Sequence, residues 1–295
     1  MRGAAHSYRG PLLMVLSTGS YIVSDTFMKL ATAGLPPYEV LSLRGIFATS
    51  WGVLLLSVLG KWGQMPVVFD RWVTARNLIE LLCVLCYVLA LANMPIANVV
   101  ALTQITPLVV LIGASLMFGE RLSVLSMVLI GIGFAGAVLV AQPGRGTLTS
   151  FALLAIGNAV FGALRDLVGR RVPSHVPGIM VAFGACILVL AGAIAMHLIF
   201  EETTVPGAHH LLLLAASGLF LFGGHYLLFM AYRLGPTVNV APFYYFFTFW
   251  ALIAGIFVFG TLPNLMALTG ILLVIASGLA IVVLDRRQLR KALVE

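Results

Sequence analysis

Runs of about twenty apolar residues follow one another along the chain, and only short breaks separate them. A helix of that length crosses the ~30 Å hydrocarbon layer of a membrane. A membrane β-barrel alternates polar and apolar residues along each strand, and these unbroken runs do not. The pattern predicts spans at 11–32, 38–59, 73–92, 96–118 and 123–141, then at 149–169, 177–199, 209–231, 238–259 and 265–284. Prolines, glycines and charges punctuate them, among them Pro36-Pro37, Pro95, Gly119-Glu120-Arg121, Pro143-Gly144, Pro177, Gly235-Pro236 and Pro263. Charged residues make up only 9% of the chain, too few to cover a soluble protein of 295 residues. Soluble enzymes, nucleic-acid binders and disordered chains are thereby excluded. The expected fold class is an all-α integral membrane protein whose main partner is the lipid bilayer.

A second pattern organises the spans. At a constant offset of 141, Asp25 pairs with Asp166, Pro36 with Pro177, Ala90 with Ala231 and Pro95 with Pro236. Asn98-Val99 matches Asn239-Val240, Phe118-Gly119 matches Phe259-Gly260, and Lys29 falls on Arg170. Such a gap-free match reads as internal duplication. The expected units are residues 1–142 and 143–295, five helices each. Because five is odd, the two repeats are inverted relative to one another, and the chain holds ten transmembrane helices.

Charge gives the orientation. With the N-terminus inside, 14 of the 17 basic residues fall at cytoplasmic span ends, which accounts for the net charge of +7 without a nucleic-acid partner. Both termini are then cytoplasmic, and the expected location is a bacterial inner membrane. Arg2, Arg9 and the stretch after them resemble a signal peptide, but Asp25 and Lys29 interrupt the apolar region, so a retained first span is expected. Inverted repeats mark secondary transporters, which place substrate near the midplane between halves.

Charges inside spans are expensive and face a cavity or a partner. Asp25 and Lys29, at i and i+4, share a helix face and suit either a mutual pair or a substrate or proton site. Arg44 sits inside the second span, where its planar fork suits Asp25 or a substrate carboxylate. Glu80 shares a face with Cys83 and Tyr87; a carboxylate there suits proton coupling or an ammonium ligand, and the alternative is a salt bridge with Arg76. His225 reads as a packing residue or a proton relay. Asn158 and Arg165 lie on one face of the sixth span, with Arg165 and Asp166 expected to orient that helix at the interface. Gln104 and Thr103 place polar groups at depth beside Pro107. Tyr244, Tyr245 and their aromatic neighbours cover all sides of the ninth span, so one or two of them face the pathway.

Several motifs fail on context. Gly131-x-Gly133-x-x-Gly136 matches a dinucleotide fingerprint, but no strand precedes it, and close helix packing through Gly133-xxx-Ala137, echoed by Ala276-xxx-Ala280 in span ten, explains it better. Cys83, Cys86 and Cys186 lie in apolar runs and are expected to be reduced and packed. Glu201, Glu202, His209 and His210 are expected in a solvated outer loop rather than at a metal. No cofactor-binding or metal site is expected, and no catalytic one.

Two five-helix halves, Arg44 six residues into the second span, and Pro95 and Gly119-Glu120-Arg121 bounding the fourth resemble the EamA-type drug/metabolite transporters. The resemblance implies ten helices, a central cavity lined by helices one to four and six to nine, and peripheral fifth and tenth helices. It implies export of small metabolites, amino acids foremost. The second copy departs from it at Gly260-Thr261-Leu262, which lacks the charges, and Thr18-Gly19 stands where the family often has tryptophan-glycine. The expected function is therefore alternating-access export of small metabolites around Asp25, Arg44, Glu80, Tyr87, Gln104, Asn158, His225, Tyr244 and Tyr245, with protons as a coupling partner. Efflux of lipophilic cations, or a membrane-embedded enzyme, is the alternative. A monomer or weak dimer is expected, since small residues in spans five and ten suit either internal packing or dimerisation.

Overall fold

Proline and glycine set the helix ends. Pro36 and Pro177, both in extended backbone, stand immediately before two helices of equal role, where a missing N–H costs nothing. Gly119 and Gly260 close two others in the left-handed conformation, each at φ +66°. Both pairs are 141 residues apart. A computed structural model of the chain describes residues 8–32, 34–93, 99, 102–120, 123–141, 151–260 and 264–292. Arg2, Pro95, Asn98, Arg121, Pro143, Gly144 and Thr261 to Pro263, all used above, lie outside the described residues.

The described residues are helical, with no strand among them. The helices are α1 (Arg9–Ala31), α2 (Pro37–Val58), α3 (Arg71–Asn93), α4 (Thr106–Phe118) and α5 (Val124–Ala141). They continue as α6 (Ala152–Gly169), α7 (Gly178–Phe200), α8 (Ala208–Leu234), α9 (Thr237–Phe259) and α10 (Leu265–Ala292). A 3₁₀ segment, Trp62–Phe69, links α2 to α3. Helix α9 starts as one turn, Thr237–Val240, tightens to 3₁₀ over Ala241–Tyr245 around Pro242, and resumes as α-helix over Phe246–Phe259. Among the described residues six helices are long and apolar enough to cross a membrane: α2, α3, α6, α7, α8 and α9. Three shorter apolar stretches accompany them, Thr106–Phe118, Val124–Val140 and Leu265–Ile281. Helix α1 matches the six in length but carries Ser17, Thr18, Ser20, Ser24, Asp25 and Lys29.

Those hydroxyls have a packing role. Ser17, Ser20 and Ser24 donate to the carbonyl oxygens of Gly224, Phe220 and Ser217 of α8 at 2.9, 2.7 and 2.7 Å. Small residues permit the close approach: a Cβ on Gly218 or Gly224 would press on α2 or on Tyr21. The α3–α6 seam repeats this arrangement. The Ser17 Oγ bond to Gly224 O recurs, 141 residues on in one partner and 141 back in the other, as Asn158 Nδ2 to Cys83 O at 2.9 Å. Likewise Lys29 Nζ lies 4.5 Å from the Phe259 ring centre, and the Arg170 guanidinium 4.5 Å from that of Phe118.

Helix contacts follow the same exchange. Helix α1 packs on α8 as α6 packs on α3, α2 on α8 as α7 on α3, and α1 on α9 as α6 on α4. Helices α2 and α7 pack on each other, and so do α5 and α10. At the α5–α10 crossing a side chain on Gly136 would meet the carbonyl oxygen of Gly270, and one on Gly270 that of Gly136. Gly133 lies against Ser277 and Tyr245. Gly133 and Gly136 thus serve close packing and face inward, whereas Gly131 is exposed and a Cβ there would meet no atom within 4 Å.

One end of the bundle is basic. There Arg170 contacts Glu120 and Thr237, Arg171 stacks over Trp72, and Arg233 donates to backbone carbonyls of Pro173, Ser174 and Val176. At the opposite end, Glu201 accepts the N–H groups of Tyr38 and Glu39 at 2.9 and 2.8 Å. A carboxylate at a helix N-terminus satisfies donors that lack intrahelical partners. Glu39 in turn accepts the N–H and hydroxyl of Thr204 at 3.1 and 2.6 Å. The loop after α7 is therefore strapped to α2, which corrects the expectation of a solvated segment for Glu201.

Candidate functional site

Between the halves lies an open cavity of about 170 Å³. Eight of the ten helical spans described above, or the residues just before them, supply its lining; α5 and α10 supply none. Exposure falls with depth. Asp25, toward the mouth, keeps 28% of its side chain accessible, whereas Arg165 keeps 8% and Glu80 4%.

At the mouth, Arg44 Nη2 donates to Asp25 Oδ1 at 2.9 Å and to Ser24 Oγ at 2.8 Å, and Nη1 approaches Met28 Sδ at 2.9 Å. Arg44 Nε is buried and has no partner. The Asp25–Lys29 pair suggested by helical spacing does not form: Asp25 is held across helices by Arg44, and Lys29 stacks on Phe259. A guanidinium reaching from α2 supplies two hydrogen bonds in place of one flexible ammonium contact.

The floor is a charge network. Glu80 Oε2 accepts from Arg165 Nη1 at 2.9 Å and lies 3.7 Å from Arg76 Nη2. Arg165 Nε also donates to Asp166 Oδ1 at 2.7 Å, and Arg76 Nη1 to Asn77 Oδ1 at 3.0 Å. Two arginines thus face two carboxylates in a buried place, where only mutual pairing makes such charges tolerable. Glu80 does contact Arg76, but its closer partner is Arg165. Arg165 and Asp166 do not extend to the interface as expected; both are buried, at 6% and 5% exposure. Their position about one turn from the end of α6 resembles an interfacial pair in sequence. Only the arrival of α3 beside them makes them part of the floor.

Neutral polar groups and aromatic rings complete the walls. His225 Nδ1 bonds the Tyr21 hydroxyl at 2.8 Å, their rings edge to face. Asn158 bonds Cys83 through the backbone carbonyl and the sulfur, at 2.9 and 3.0 Å. Tyr87, Tyr244 and Phe247 present ring surface. Of the expected site residues, Asp25, Arg44, Glu80, Tyr87, Asn158, His225 and Tyr244 line the cavity together. Gln104 and Tyr245 lie outside the lining: Gln104 Nε2 bonds Thr248 Oγ1, and Tyr245 packs in the core against Gly133 of α5. Tyr21 and Arg165 line it as well. Arg165 shares a face with Asn158 by its spacing of seven, the one sequence signal that pointed there. All three cysteines are free thiols. Among the described residues no three His, Cys, Asp or Glu side chains converge as metal ligands.

Chemically, the cavity offers a carboxylate–guanidinium pair near its mouth, a second at its floor, and aromatic surface between. Such a site can receive a small solute that carries both charge signs around an apolar body.

The EamA-like transporter family matches this chain twice, over residues 8–142 and 149–283. A pseudopaline exporter of Pseudomonas aeruginosa is 26% identical over 204 residues, spanning 67% of this chain and 68% of its own. A riboflavin transporter of Vibrio cholerae serotype O1 is 25% identical over 263 residues, spanning 88% of this chain and 87% of its own. A solved crystal structure shares the fold with a TM-score of 0.82, at 19% identity, covering 94% of this chain and 98% of its own.

Proposed function

The chain belongs to the EamA-like transporter family, a transporter rather than an enzyme, and on that premise we propose that it exports small metabolites, amino acids foremost, by alternating access. The proposed machine is two inverted five-helix repeats, residues 1–142 and 143–295, that together make ten spans. The observation that carries the reading is the cavity between halves whose contacts exchange with one another, reachable at Asp25 and closed at Glu80 and Arg165. Two halves related in that way can trade conformations, which opens the opposite end by the same local rearrangements.

The proposed substrate residues are Asp25, Arg44, Glu80, Tyr87, Gln104, Asn158, His225, Tyr244 and Tyr245. Of these, Arg44 has a donor to spare. Its Nε is buried and unpartnered in the cavity wall, and a substrate carboxylate would satisfy it. Asp25 then answers the ammonium, while Tyr87, Tyr244 and Phe247 face the apolar body. Gln104 acts from behind the lining through Thr248, and Tyr245 from behind it through the α5 contact. Protons are the proposed coupling ion. The basic end faces the cytoplasm of a bacterial inner membrane in this reading, with both termini on that side, and the protein acts as a monomer or weak dimer.

A second reading, efflux of lipophilic cations, draws on the aromatic walls and on Asp25. Relatives named for pseudopaline and for riboflavin broaden the solutes to be tried. Overproduction in a sensitive bacterial strain separates the two. Tolerance to excess amino acids without drug resistance is the expected result; drug resistance without amino-acid tolerance would favour cation efflux.

A further inference from the structure

The duplication places an aspartate at the same point of each half, and the two meet different surroundings. Asp25 lines the cavity and keeps 28% of its side chain accessible, while Asp166 is outside the lining and keeps 3%. Each is held by an arginine through Oδ1, Arg44 at 2.9 Å and Arg165 at 2.7 Å. The neighbours differ by the same register. Where Asp25 has Ser24 and Ser217 joined by reciprocal hydroxyl-to-carbonyl bonds of 2.7 and 2.8 Å, Asp166 has Arg165 and Arg76. Glu80 corresponds to Leu221, so the mouth locus has no second carboxylate.

Two polar atoms at the Asp166 locus are buried without a partner: Asp166 Oδ2 and the Tyr232 hydroxyl. Around Asp166 stand Arg165 on its own helix, Arg76, Glu80 and Cys83 from α3, Tyr21 from α1, Tyr232 from α8 and Tyr244 from α9. Helix α4, which packs on α6, contributes no charged or titratable side chain within Thr106–Phe118. A buried carboxylate oxygen left unmatched is costly and invites a ligand. Enclosed to this degree, Oδ2 has room for a proton and none for an ammonium group.

We propose that Asp166 is the coupling-proton site, and that a proton on its Oδ2 loosens the floor so that the basic end opens. The bond formed is O–H on Oδ2; the proton comes from water entering through the mouth and is released at the basic end once that end has opened, so that it moves opposite to the exported solute. The floor then carries one net positive charge where it was balanced, two arginines against Glu80 alone. An uncompensated charge is disfavoured in a low-dielectric interior and is relieved by hydration, which the open conformation provides. Arg165 at the same time loses its ionised partner. On closing the mouth, Asp25 takes the enclosed place and Asp166 the exposed one. This rests on the alternating-access reading above and adds to it the site and the direction of coupling.

The test needs no substrate. Infrared difference spectra of the purified protein in lipid, between low and neutral pH, report protonated carboxyl groups. The wild type is expected to show a carboxylic C=O band that Asp166→Asn removes and Asp25→Asn leaves. Tyr232→Phe keeps the carboxyl and shifts the band, which covers the case in which Asp166→Asn fails to fold. Hydrogen exchange should speed up at the basic ends of α3 and α6 on acidification in the wild type and stay level in Asp166→Asn. A wild-type spectrum without such a band, a band indifferent to both substitutions, or exchange that quickens equally in Asp166→Asn would overturn the proposal. Because these signals do not depend on flux, they separate failure of the proton site from failure of the transport reading.

Discussion

Arg44 and Arg165 both sit among apolar helices and both hold an aspartate, but they make different demands on the site. Arg44 keeps a buried Nε without a partner, whereas Arg165 spends donors on Glu80 and Asp166. Arg44→Lys should therefore preserve a charge beside Asp25 yet lose the fork. Losing a charge-assisted bond of about 1.5–3 kcal/mol should raise the substrate KM about ten- to a hundredfold with the thermal midpoint little changed. Arg165→Gln should act on stability instead, by leaving Glu80 and Asp166 buried without their guanidinium. About 3–5 kcal/mol of destabilisation is expected, seen as a lower unfolding midpoint in detergent, and Glu80→Gln on top should restore part of it. A double variant no more stable than Arg165→Gln would argue against the pair. Charges in apolar spans were legible because they stand out from everything around them, and so Asp25, Arg44 and Glu80 could be named from sequence. Their partners were legible only in part. The fork of Arg44 suits Asp25 and spacing joins Glu80 to Arg76, but spacing also joins Asp25 to Lys29, and the shorter bond to Glu80 comes from Arg165 on a neighbouring helix whose approach no local pattern reports.

Helix ends obeyed local chemistry and were readable for that reason. Prolines at Pro36 and Pro177 and glycines at Gly119 and Gly260 restrict the backbone whatever packs nearby. A Cβ at either glycine would meet no atom within 4 Å, so any cost of adding one is purely conformational. Gly119→Ala and Gly260→Ala should each destabilise by about 1–2 kcal/mol, and by similar amounts; thermal unfolding of both variants checks this, and a difference of several degrees between them would break the equivalence of the two ends. Gly136 and Gly270 differ, since there each glycine makes room for the other's backbone. Gly136→Leu should part α5 from α10 and lower the unfolding midpoint, by about 1–3 kcal/mol or more. Which face a helix presents was harder to read. Helix α9 is apolar and aromatic all round, so its pattern could not tell Tyr244, which faces the cavity, from Tyr245, which packs against α5. The 3₁₀ stretch at Ala241–Tyr245 also turns these side chains away from α-helical spacing.

At the scale of the molecule, the 141-residue register has a physical counterpart at every level described. It recurs in paired caps, in the Ser17 and Asn158 bonds, in the Lys29 and Arg170 ring contacts and in the pairing of helices. Sequence could supply the register because duplicated residues keep their spacing; it could not supply which half would be open. The asymmetry comes from a few unmatched positions, Glu80 against Leu221 and Arg165 against Ser24, which close one end with charge and leave the other to serines. If the proposed topology of ten spans with a cytoplasmic basic end holds, tags on either terminus should be protected from protease in cells and cut only after the membrane is opened. The central claim is that the cavity carries solute from one side to the other. Purified protein in liposomes, loaded in turn with radiolabelled amino acids, should release at least one of them with saturable kinetics that Arg44→Ala abolishes. Folded wild-type protein that moves none of them, in either direction and with or without a pH gradient, would contradict the account.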